Sequence, residues 1–403
     1  MTKIYQPQPE TLNKYAQVLV NYALNSGEGV KPGEVVQIAV PDVSKDLARQ
    51  IRNEVLKAGA HPMLRLLPTG MNKDFYDLAN DDQLSFFPKQ YLKAKVKLLD
   101  HSIGIIADPY PEELKEVPPT KILAQKRSMK PYYDWMFDKE DQGNFTWTIA
   151  LWGVPAKAKE VGLSLKAYWD QIIKACYLDE DDPVAKWREI ANLQTNIKRY
   201  LNSLEIDYLQ MVGDDMDIKI GLGVDRVWRG GEGRNIPSFE IFTSPDWRQV
   251  EGWIYFNQEI YRYGNKISGV KFEIKQGRIV SFQAKVGQSL LKEILKTKNA
   301  DKIGEISLTD NRMSRITHPM AEVLYDENMG GPFGNTHLAI GKAYKNCYRH
   351  DVTKLSKKQW NDLGYNDSVE HIDFVSTTDR QVTAKLKNGE SVLIYQNGQF
   401  CNQ

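Results

Sequence analysis

The length, composition and charge of this chain exclude several classes of protein. Its 403 residues are too many for one ordinary hydrophobic core and predict two domains, and the apolar fraction of 41% is enough to build both. The 53 basic and 52 acidic side chains leave a net charge of +1, so we expect no nucleic-acid partner. The sequence has neither a secretory signal nor a membrane-spanning apolar run, which predicts a soluble, cytoplasmic protein without a membrane partner.

The first half of the chain predicts alternating helices and strands. Apolar residues recur at helical spacing between Leu12 and Ala23, and a second amphipathic helix is expected from Ser44, its N-cap, to Gly59. A buried strand is predicted at 35–40, and further strands are predicted at 63–67, 103–107 and 145–152. A strand, a helix and a strand in succession form a β-α-β unit, so the sheet should be parallel. No glycine-rich loop opens a helix after a strand, which argues against nucleotide binding.

The hydrophobic periodicity changes in the second half. A charged helical region at 156–200 closes the first domain, and alternating strands follow it, with hairpin turns expected at two dipeptides, Gln276-Gly277 and Asn388-Gly389. We therefore predict an α/β domain with a parallel-type sheet at 1–205. A catalytic, metal-binding α+β domain with mixed, largely antiparallel strands should follow at 206–403.

Two histidines have acidic neighbours suited to metal binding. His371 and Asp373 are two residues apart in a predicted strand, so both side chains should point to the same face. His337 follows a glycine-rich turn, with Glu327 upstream, and is expected on a loop. Each signal is weak alone, because histidine has many ordinary hydrogen-bonding roles.

Two glutamates lie in apolar surroundings where a solvated carboxylate is not expected. Glu240 stands within the run Phe239 to Phe242, and Glu305 stands between Ile303 and Leu308. Burial of an unpaired ionised carboxylate is costly, so a metal ion or a positive side chain should accompany each residue. Placement at the edge of a sheet is the alternative for both.

Five segments of the second half carry a resemblance to a known family: 235–245, 304–305, 325–328, 337–344 and 371–373. In this order, they resemble the aminopeptidase T and aminopeptidase S family of thermophilic-type metallopeptidases. The resemblance implies a pair of divalent metal ions, and the residues that match the family's metal ligands are Glu240, Glu305, Glu327, His337, His371 and Asp373. Among these, Glu305 matches a bridging ligand. The loop before His337 is longer than in some relatives, which leaves the role of Glu327 open.

The resemblance also implies a catalytic role for Tyr344. Its phenol could donate a hydrogen bond to the oxyanion of the transition state, and a core aromatic on a helix is the alternative. Glu240 could act as general base if it is not fully committed to metal. The ligand types favour zinc or cobalt, with manganese also compatible, over calcium.

We therefore predict a metal-dependent aminopeptidase that hydrolyses the N-terminal peptide bond of short or unfolded peptides. The nucleophile would be a water that bridges the two metal ions. The resemblance further implies a homodimer with active sites in an enclosed cavity. Two alternatives stay open, a metal-dependent hydrolase of another amide or ester and a non-catalytic binding protein with a residual metal site.

Overall fold

The computed structural model describes residues 5–401 and divides into two compact units. Unit 1 comprises Met1–Ala191 and Gly231–Ser238, and unit 2 comprises Asn192–Gly230 and Phe239–Gln403. The helix Pro183–Ser203 crosses this division. The two-domain boundary expected near residue 205 stays a prediction.

Unit 1 is built on a parallel sheet. Its helices are α1 (Pro9–Asn21), α2 (Lys45–Lys57), α3 (Asn72–Leu78), α4 (Asp81–Ser85), α5 (Lys89–Leu98), α6 (Pro119–Asp141), α7 (Pro155–Glu160) and α8 (Leu165–Ala175), followed by α9 (Pro183–Ser203). Its strands are β1 (Val35–Pro41), β2 (His61–Leu67), β3 (His101–Ile106), β4 (Thr146–Leu151) and β7 (Asn235–Ile236), in the order β2-β1-β3-β4-β7. Every pairing in this sheet is parallel, as the β-α-β unit predicted.

Local sequence accounts for the first elements of unit 1. Helix α1 begins at a proline, which suits a first helical position because its missing N–H has no partner there. Leu12, Tyr15 and Leu19 are buried on one face of α1. Ser44 occupies the N-cap position of α2 as predicted, but its hydroxyl donates to the Pro41 carbonyl, 2.7 Å away, and makes no capping bond to the helix.

Unit 2 contains two larger antiparallel sheets. Its helices are α10 (Gln288–Leu295), α11 (Val323–Asp326) and α12 (Lys357–Asp362). The strands of the first sheet are β13 (Arg278–Gln283), β12 (Val270–Lys275), β9 (Val250–Phe256), β6 (Met216–Gly221), β5 (Ile206–Gly213), β17 (Gln381–Leu386), β18 (Ser391–Gln396) and β19 (Gln399–Phe400), in this order. The second sheet has the order β16 (His371–Ser376), β15 (Asn335–Gly341), β14 (Ile303–Thr309), β8 (Glu240–Thr243). Strands β10 (Ile260–Arg262) and β11 (Asn265–Ile267) form a separate hairpin.

Both predicted hairpin turns of unit 2 are confirmed. Gln276 and Gly277 connect β12 to β13, and both residues have positive φ angles, 49° and 72°. A side chain at Gly277 would also collide with the Trp247 carbonyl, so glycine is required by space as well as by backbone conformation. Asn388 and Gly389 connect β17 to β18. The predicted fold class, an α/β part followed by a largely antiparallel α+β part, is confirmed.

Aromatic side chains pack the second sheet of unit 2 against the first. Phe374 of β16 lies 4.9 Å, between ring centroids, from Phe272 of β12 and 5.5 Å from Phe256 of β9. Edge-to-face and tilted contacts of this kind stabilise beyond the area that they bury. Because side chains alternate along a strand, Phe374 and its neighbour Asp373 point to opposite faces, so the opposite face of β16 is left for other residues. Among residues 5–401, no helix is both long enough and apolar enough to span a lipid bilayer.

Replacement of Phe272 by alanine tests this packing. Phe272 is fully buried and contacts both other phenylalanines, so we expect Phe272→Ala to lower the free energy of unfolding by about 3–5 kcal/mol. Urea denaturation of the metal-free protein measures the effect. Val280→Ala on the exposed side of the neighbouring strand β13 is the control, with a change within about 0.5 kcal/mol. Equal unfolding midpoints for the two variants would contradict this account of the core.

Candidate metal centre

The register of the four-stranded sheet aligns the predicted ligands. Glu305 of β14 lies opposite Ala339 of β15, which in turn lies opposite Asp373 of β16. Residues opposite each other in a sheet point to the same face. Glu305, Ala339 and Asp373 therefore form one row across three strands.

The remaining predicted ligands on strands belong to the same face. His337 and His371 are each two residues from a member of that row, and Glu240 lies opposite Thr309, four residues after Glu305. Residues two or four apart in a strand share a face. The sheet thus brings five predicted ligands to one surface: Glu240, Glu305, His337, His371 and Asp373.

The prediction that a loop presents His337 is wrong. His337 lies in the middle of β15, and all seven residues of this strand are buried. A strand that is covered on both faces lacks the alternation of apolar and polar residues that identifies a half-buried strand. Such a strand is therefore difficult to predict from its sequence. The strand predicted at His371 is confirmed, and Glu240 and Glu305 also lie in strands.

Small residues leave space at the centre of this face. Ala339 lies between Glu305 and Asp373, and Gly341, opposite His371, has no side chain at all. A larger side chain at Ala339 would project between Glu305 and Asp373, whereas a side chain at Gly341 would collide with the backbone carbonyl of Glu370. Ala339 therefore leaves room between these two carboxylates.

Short distances connect the ligand atoms. Nε2 of His337 lies 3.1 Å from Oε1 of Glu305 and 3.4 Å from Oε2 of Glu240. One ligand atom from each of these three buried residues lies within 4.8 Å of the others, a spacing that fits ligands of a single ion. Nε2 of His371 lies 3.4 Å from Oδ1 of Asp373 and 3.7 Å from Oε2 of Glu305.

The backbone orients His371. Its Nδ1 lies 2.8 Å from the Lys342 carbonyl, which accepts a hydrogen bond from the imidazole, so Nε2 is the nitrogen that faces the carboxylates. A histidine that binds metal commonly donates its other ring N–H in this way, because the hydrogen bond fixes the tautomer and the ring plane. This arrangement leaves the Nε2 lone pair available to an ion.

Glu327 is buried beside the same cluster, directly after α11. Burial raises the pKa of its carboxyl well above the usual range, and the negative charges of Asp373 and Glu240 add to this effect. Because both charges affect the pKa of Glu327, its carboxyl interacts electrostatically with the cluster. Its backbone carbonyl accepts a hydrogen bond from Thr309 at 3.4 Å.

Excess negative charge controls the protonation of the two imidazoles. Burial alone lowers the pKa of His337, but the hydrogen bond to Glu305 and the charges of Asp373 and Glu240 outweigh it and raise the pKa to about 10. Burial lowers the pKa of His371 as well, but the charge and hydrogen bond of Asp373, together with the charge of Glu305, outweigh it and raise the pKa. For Asp373, burial is also outweighed, and the charge of His371 holds its pKa far below the usual range. Without metal, protons neutralise part of the cluster.

Tyr344 follows β15 and packs against this face. Its ring centroid lies 4.8 Å from that of His371 and 6.0 Å from that of Phe242. The helical alternative for Tyr344 is wrong, since the residue lies between β15 and a short 3₁₀ turn. Burial, together with the negative charges of Glu305 and Asp373, raises the pKa of the phenol well above its ordinary value. The hydroxyl is therefore neutral and able to donate a hydrogen bond.

Comparison with known proteins gives the family. The family model described as thermophilic metalloprotease (M29) matches residues 8–400. The chain belongs to the M29 family of thermophilic metalloproteases. The aminopeptidase T and aminopeptidase S resemblance is thereby confirmed.

Named relatives and a solved structure agree with this family. Aminopeptidase 2 of Geobacillus stearothermophilus is 27% identical over 412 residues, which cover 96% of this chain and 97% of the relative. Aminopeptidase T of Thermus aquaticus is 26% identical and covers 97% and 98%. The solved structure of wild-type AmpT from Thermus thermophilus has the same fold, with a TM-score of 0.83 at 21% identity over 97% of this chain and 99% of that one. The family and these relatives identify a metalloexopeptidase.

The cluster fits a metal-dependent member of this family. Oε2 of Glu305 and Nδ1 of His337 are buried, and neither has a hydrogen-bond partner among residues 5–401. Glu240, Glu305 and Asp373 together carry up to three negative charges, so even two protonated imidazoles would leave one of them uncompensated, and Glu327 would add another when ionised. The metalloprotease family implies a divalent metal cofactor, which would supply the missing positive charge, and buried carboxylates with imidazoles are a donor set that suits such an ion.

Sequence reasoning missed one charged group beside the cluster. Arg262, at the end of β10, donates from Nη2 to the His371 carbonyl at 3.1 Å, and its positive charge lowers the pKa of Asp373. The separation of 109 positions between Arg262 and His371 explains why no local pattern revealed the contact. Arg262 therefore contributes a fixed positive charge at the edge of the site.

Proton release on metal binding tests these electrostatics. Because the pKa of His337 is raised from 6.5 to about 10, the residue carries a proton at pH 7 that a metal ligand must lose. We expect apparent metal affinity to rise at least about tenfold per pH unit between pH 6 and pH 8. Calorimetric titration of chelator-stripped protein with Zn²⁺, in buffers of different ionisation enthalpy, counts the protons released. A His337→Gln variant should release fewer protons, and equal release by both proteins would exclude His337 as their source.

Proposed function

We propose that this chain removes single residues from the N-terminus of short or unfolded peptides, using two divalent ions held on one face of the four-stranded sheet. One observation carries the proposal: the two oxygens of Glu305 face different imidazoles. Oε1 lies 3.1 Å from His337, and Oε2 lies 3.7 Å from His371. A carboxylate placed between two imidazoles in this way is suited to bridge two ions.

The surrounding residues divide into two ligand groups around Glu305. Glu240 approaches His337 on one side, at 3.4 Å, and Asp373 approaches His371 on the other, also at 3.4 Å. In this proposal Glu240 and His337 hold the first ion, and His371 and Asp373 hold the second. Glu327 adds negative charge near the second ion. Four carboxylates then balance the four positive charges of two divalent ions, which we infer to be zinc or cobalt, with manganese also compatible.

When bound, two such ions supply a shared water of lowered pKa and a Lewis acid for the scissile carbonyl. The protein's own groups provide the rest of the chemistry. Tyr344, whose raised pKa keeps the phenol protonated even in alkaline solution, can donate a hydrogen bond to the oxyanion that develops on the carbonyl. Glu240 can accept the proton of the attacking water if one of its oxygens is not bound to metal.

The negative charge of the site also explains a preference for peptide termini. A free α-amino group is positively charged near neutral pH, and Glu327 lies in the cluster as an acid beyond the five ligands that share the sheet face. Its carboxylate, once a bound ion stabilises the ionised form, can pair with that ammonium. A peptide bond within a chain has no such charge nearby and would be bound less tightly.

We infer a homodimer from the family resemblance. Strand β2 offers a compatible surface in unit 1, since it lies at the edge of its sheet and Met63, Leu64 and Leu66 are 45–49% exposed. Large exposed apolar side chains on a sheet edge are typical of surfaces that another chain covers. Peptides are the partner class that the proposed activity requires.

Replacement of the bridging candidate provides the main test. Glu305→Gln keeps the shape of the side chain but removes a negative charge shared between the two ligand groups. We expect kcat/KM for aminoacyl-p-nitroanilides to fall by at least about 100-fold, because even residues that only support a ligand cost 10- to 100-fold. The assay uses chelator-stripped protein to which zinc, cobalt or manganese is returned.

Two controls make this result specific. Glu54→Gln changes a buried carboxylate in unit 1, outside the cluster, and should leave the activity unchanged. N-acetylated substrates should not be cleaved, because they lack the charged amine. Cleavage of blocked substrates at the same rate would favour a hydrolase of another amide or ester, and no metal-restored activity on any substrate would favour a binding protein.

Loss of the Tyr344 hydroxyl tests the role of that donor. We expect Tyr344→Phe to lower kcat by about 100- to 1,000-fold with little change in KM, since the hydrogen bond would form only as charge develops on the oxyanion. Tyr348→Phe, in the aromatic group with Trp360 and Tyr365, is the matched control and should retain wild-type kcat. An increase in KM at constant kcat would instead assign Tyr344 to substrate binding.

A further inference from the structure

A buried asparagine, Asn328, lies between two acids of the cluster and has no role in the chemistry described so far. Its side chain is fully buried. Oδ1 accepts a hydrogen bond from the backbone N–H of Phe239 at 2.6 Å, across 89 residues of sequence. Phe239 immediately precedes Glu240, so this bond fixes the start of the strand that presents Glu240.

The other half of the same amide faces Glu327. Nδ2 of Asn328 donates to the Leu324 carbonyl in α11 at 3.0 Å and lies 3.5 Å from Oε1 of Glu327. The bond to the Leu324 carbonyl has an ordinary length, whereas the distance to Glu327 is at the outer limit of hydrogen bonding. The Leu324 carbonyl is therefore the stronger contact. Because α11 leads directly into Glu327, both contacts hold the segment that presents this acid.

The backbone of Asn328 is itself fixed in place. Its N–H donates to the Tyr325 carbonyl at 3.0 Å, and its carbonyl accepts a hydrogen bond from the Ser314 hydroxyl. An amide held at its backbone and bonded at both ends of its side chain has little freedom to move. It therefore constrains the distance between Phe239 and the α11 segment that leads into Glu327.

We propose that Asn328 is a positioning residue that sets the separation between the Glu240 strand and the Glu327 carboxylate, and so the affinity for the second metal ion. The inference rests on the proposed two-ion function, in which Glu327 acts near the second ion. A primary amide is required because it accepts and donates at the same time. Aspartate has the same shape but only accepts when ionised, so it would keep the Phe239 bond and repel both the Leu324 carbonyl and Glu327.

The experiment is a titration of chelator-stripped protein with Co²⁺, followed by calorimetry and visible absorption, which resolves the affinities of the two ions without an activity assay. In Asn328→Asp, we expect the second ion to bind about 10- to 100-fold more weakly, the range for loss of a residue that orients a ligand. The first ion should keep its affinity, because the bond to Phe239 is preserved.

Asn202 provides a matched control within unit 2. Its Oδ1 accepts from the Trp228 N–H at 2.8 Å and its Nδ2 donates to the Trp228 carbonyl at 3.3 Å. Like Asn328, it therefore accepts from a backbone N–H and donates to a backbone carbonyl, but it is not adjacent to the acids of the cluster. Asn202→Asp should leave both Co²⁺ affinities unchanged. Asn328→Ser introduces no charge but removes the amide and both of its side-chain bonds, so it should also weaken the second ion, and it serves if the aspartate variant does not fold.

Distinct results separate this inference from the function on which it rests. Wild-type protein that binds a single ion would overturn both proposals. Wild-type protein that binds two ions, with unchanged affinities in Asn328→Asp and Asn328→Ser, would overturn the role of Asn328 alone. An equal loss of both ions in Asn328→Asp and Asn202→Asp would show a general structural effect and also overturn it.

Discussion

Burial of several negative charges on one face of a small antiparallel sheet is the constraint on which the rest of unit 2 depends. Glu240, Glu305 and Asp373 are each no more than 9% exposed, and ionised carboxylates are costly to remove from water unless positive charge accompanies them. Burial raises the pKa of Glu327, and the negative charges of Asp373 and Glu240 add to this effect. Other interactions hold the strands and segments that carry these groups.

Those other interactions are made mainly on the opposite side of the sheet and by residues that border the acidic face. The phenylalanines on the opposite side of the sheet stabilise its position, and Gln194, on α9, donates to the Glu240 carbonyl at 3.3 Å. Asn328 connects the Glu240 strand to the segment that carries Glu327. Rigid support of this kind allows acids to be placed at distances that they would not adopt by themselves, as metal sites require.

The protonation state of the cluster determines how much of its negative charge is compensated. Protons on His337 and His371 compensate part of the negative charge in the metal-free protein, so metal ions and protons compete for the same groups. Burial, together with the negative charges of Glu305 and Asp373, raises the pKa of the Tyr344 phenol, so its hydroxyl stays protonated in alkaline solution as well. Buried, clustered negative charge therefore influences the protonation of both imidazoles and of this hydrogen-bond donor.

The sequence by itself determined strands β1 to β4 of unit 1 and the hairpin turns of unit 2, because hydrophobic periodicity and turn residues act over a few neighbouring positions. The two-residue strand β7 was not among the predicted strands. The sequence also identified Glu240, Glu305, His337, His371 and Asp373 as candidates, through unusual acids in apolar runs and the order of the motifs that contain them. Only the tertiary structure decided that Glu305 lies in register with Asp373, that His337 belongs to a strand, and that Arg262 and Asn328 border the cluster. Strand register and contacts across about 90 to 110 residues depend on how whole sheets pair, and no local pattern carries that information.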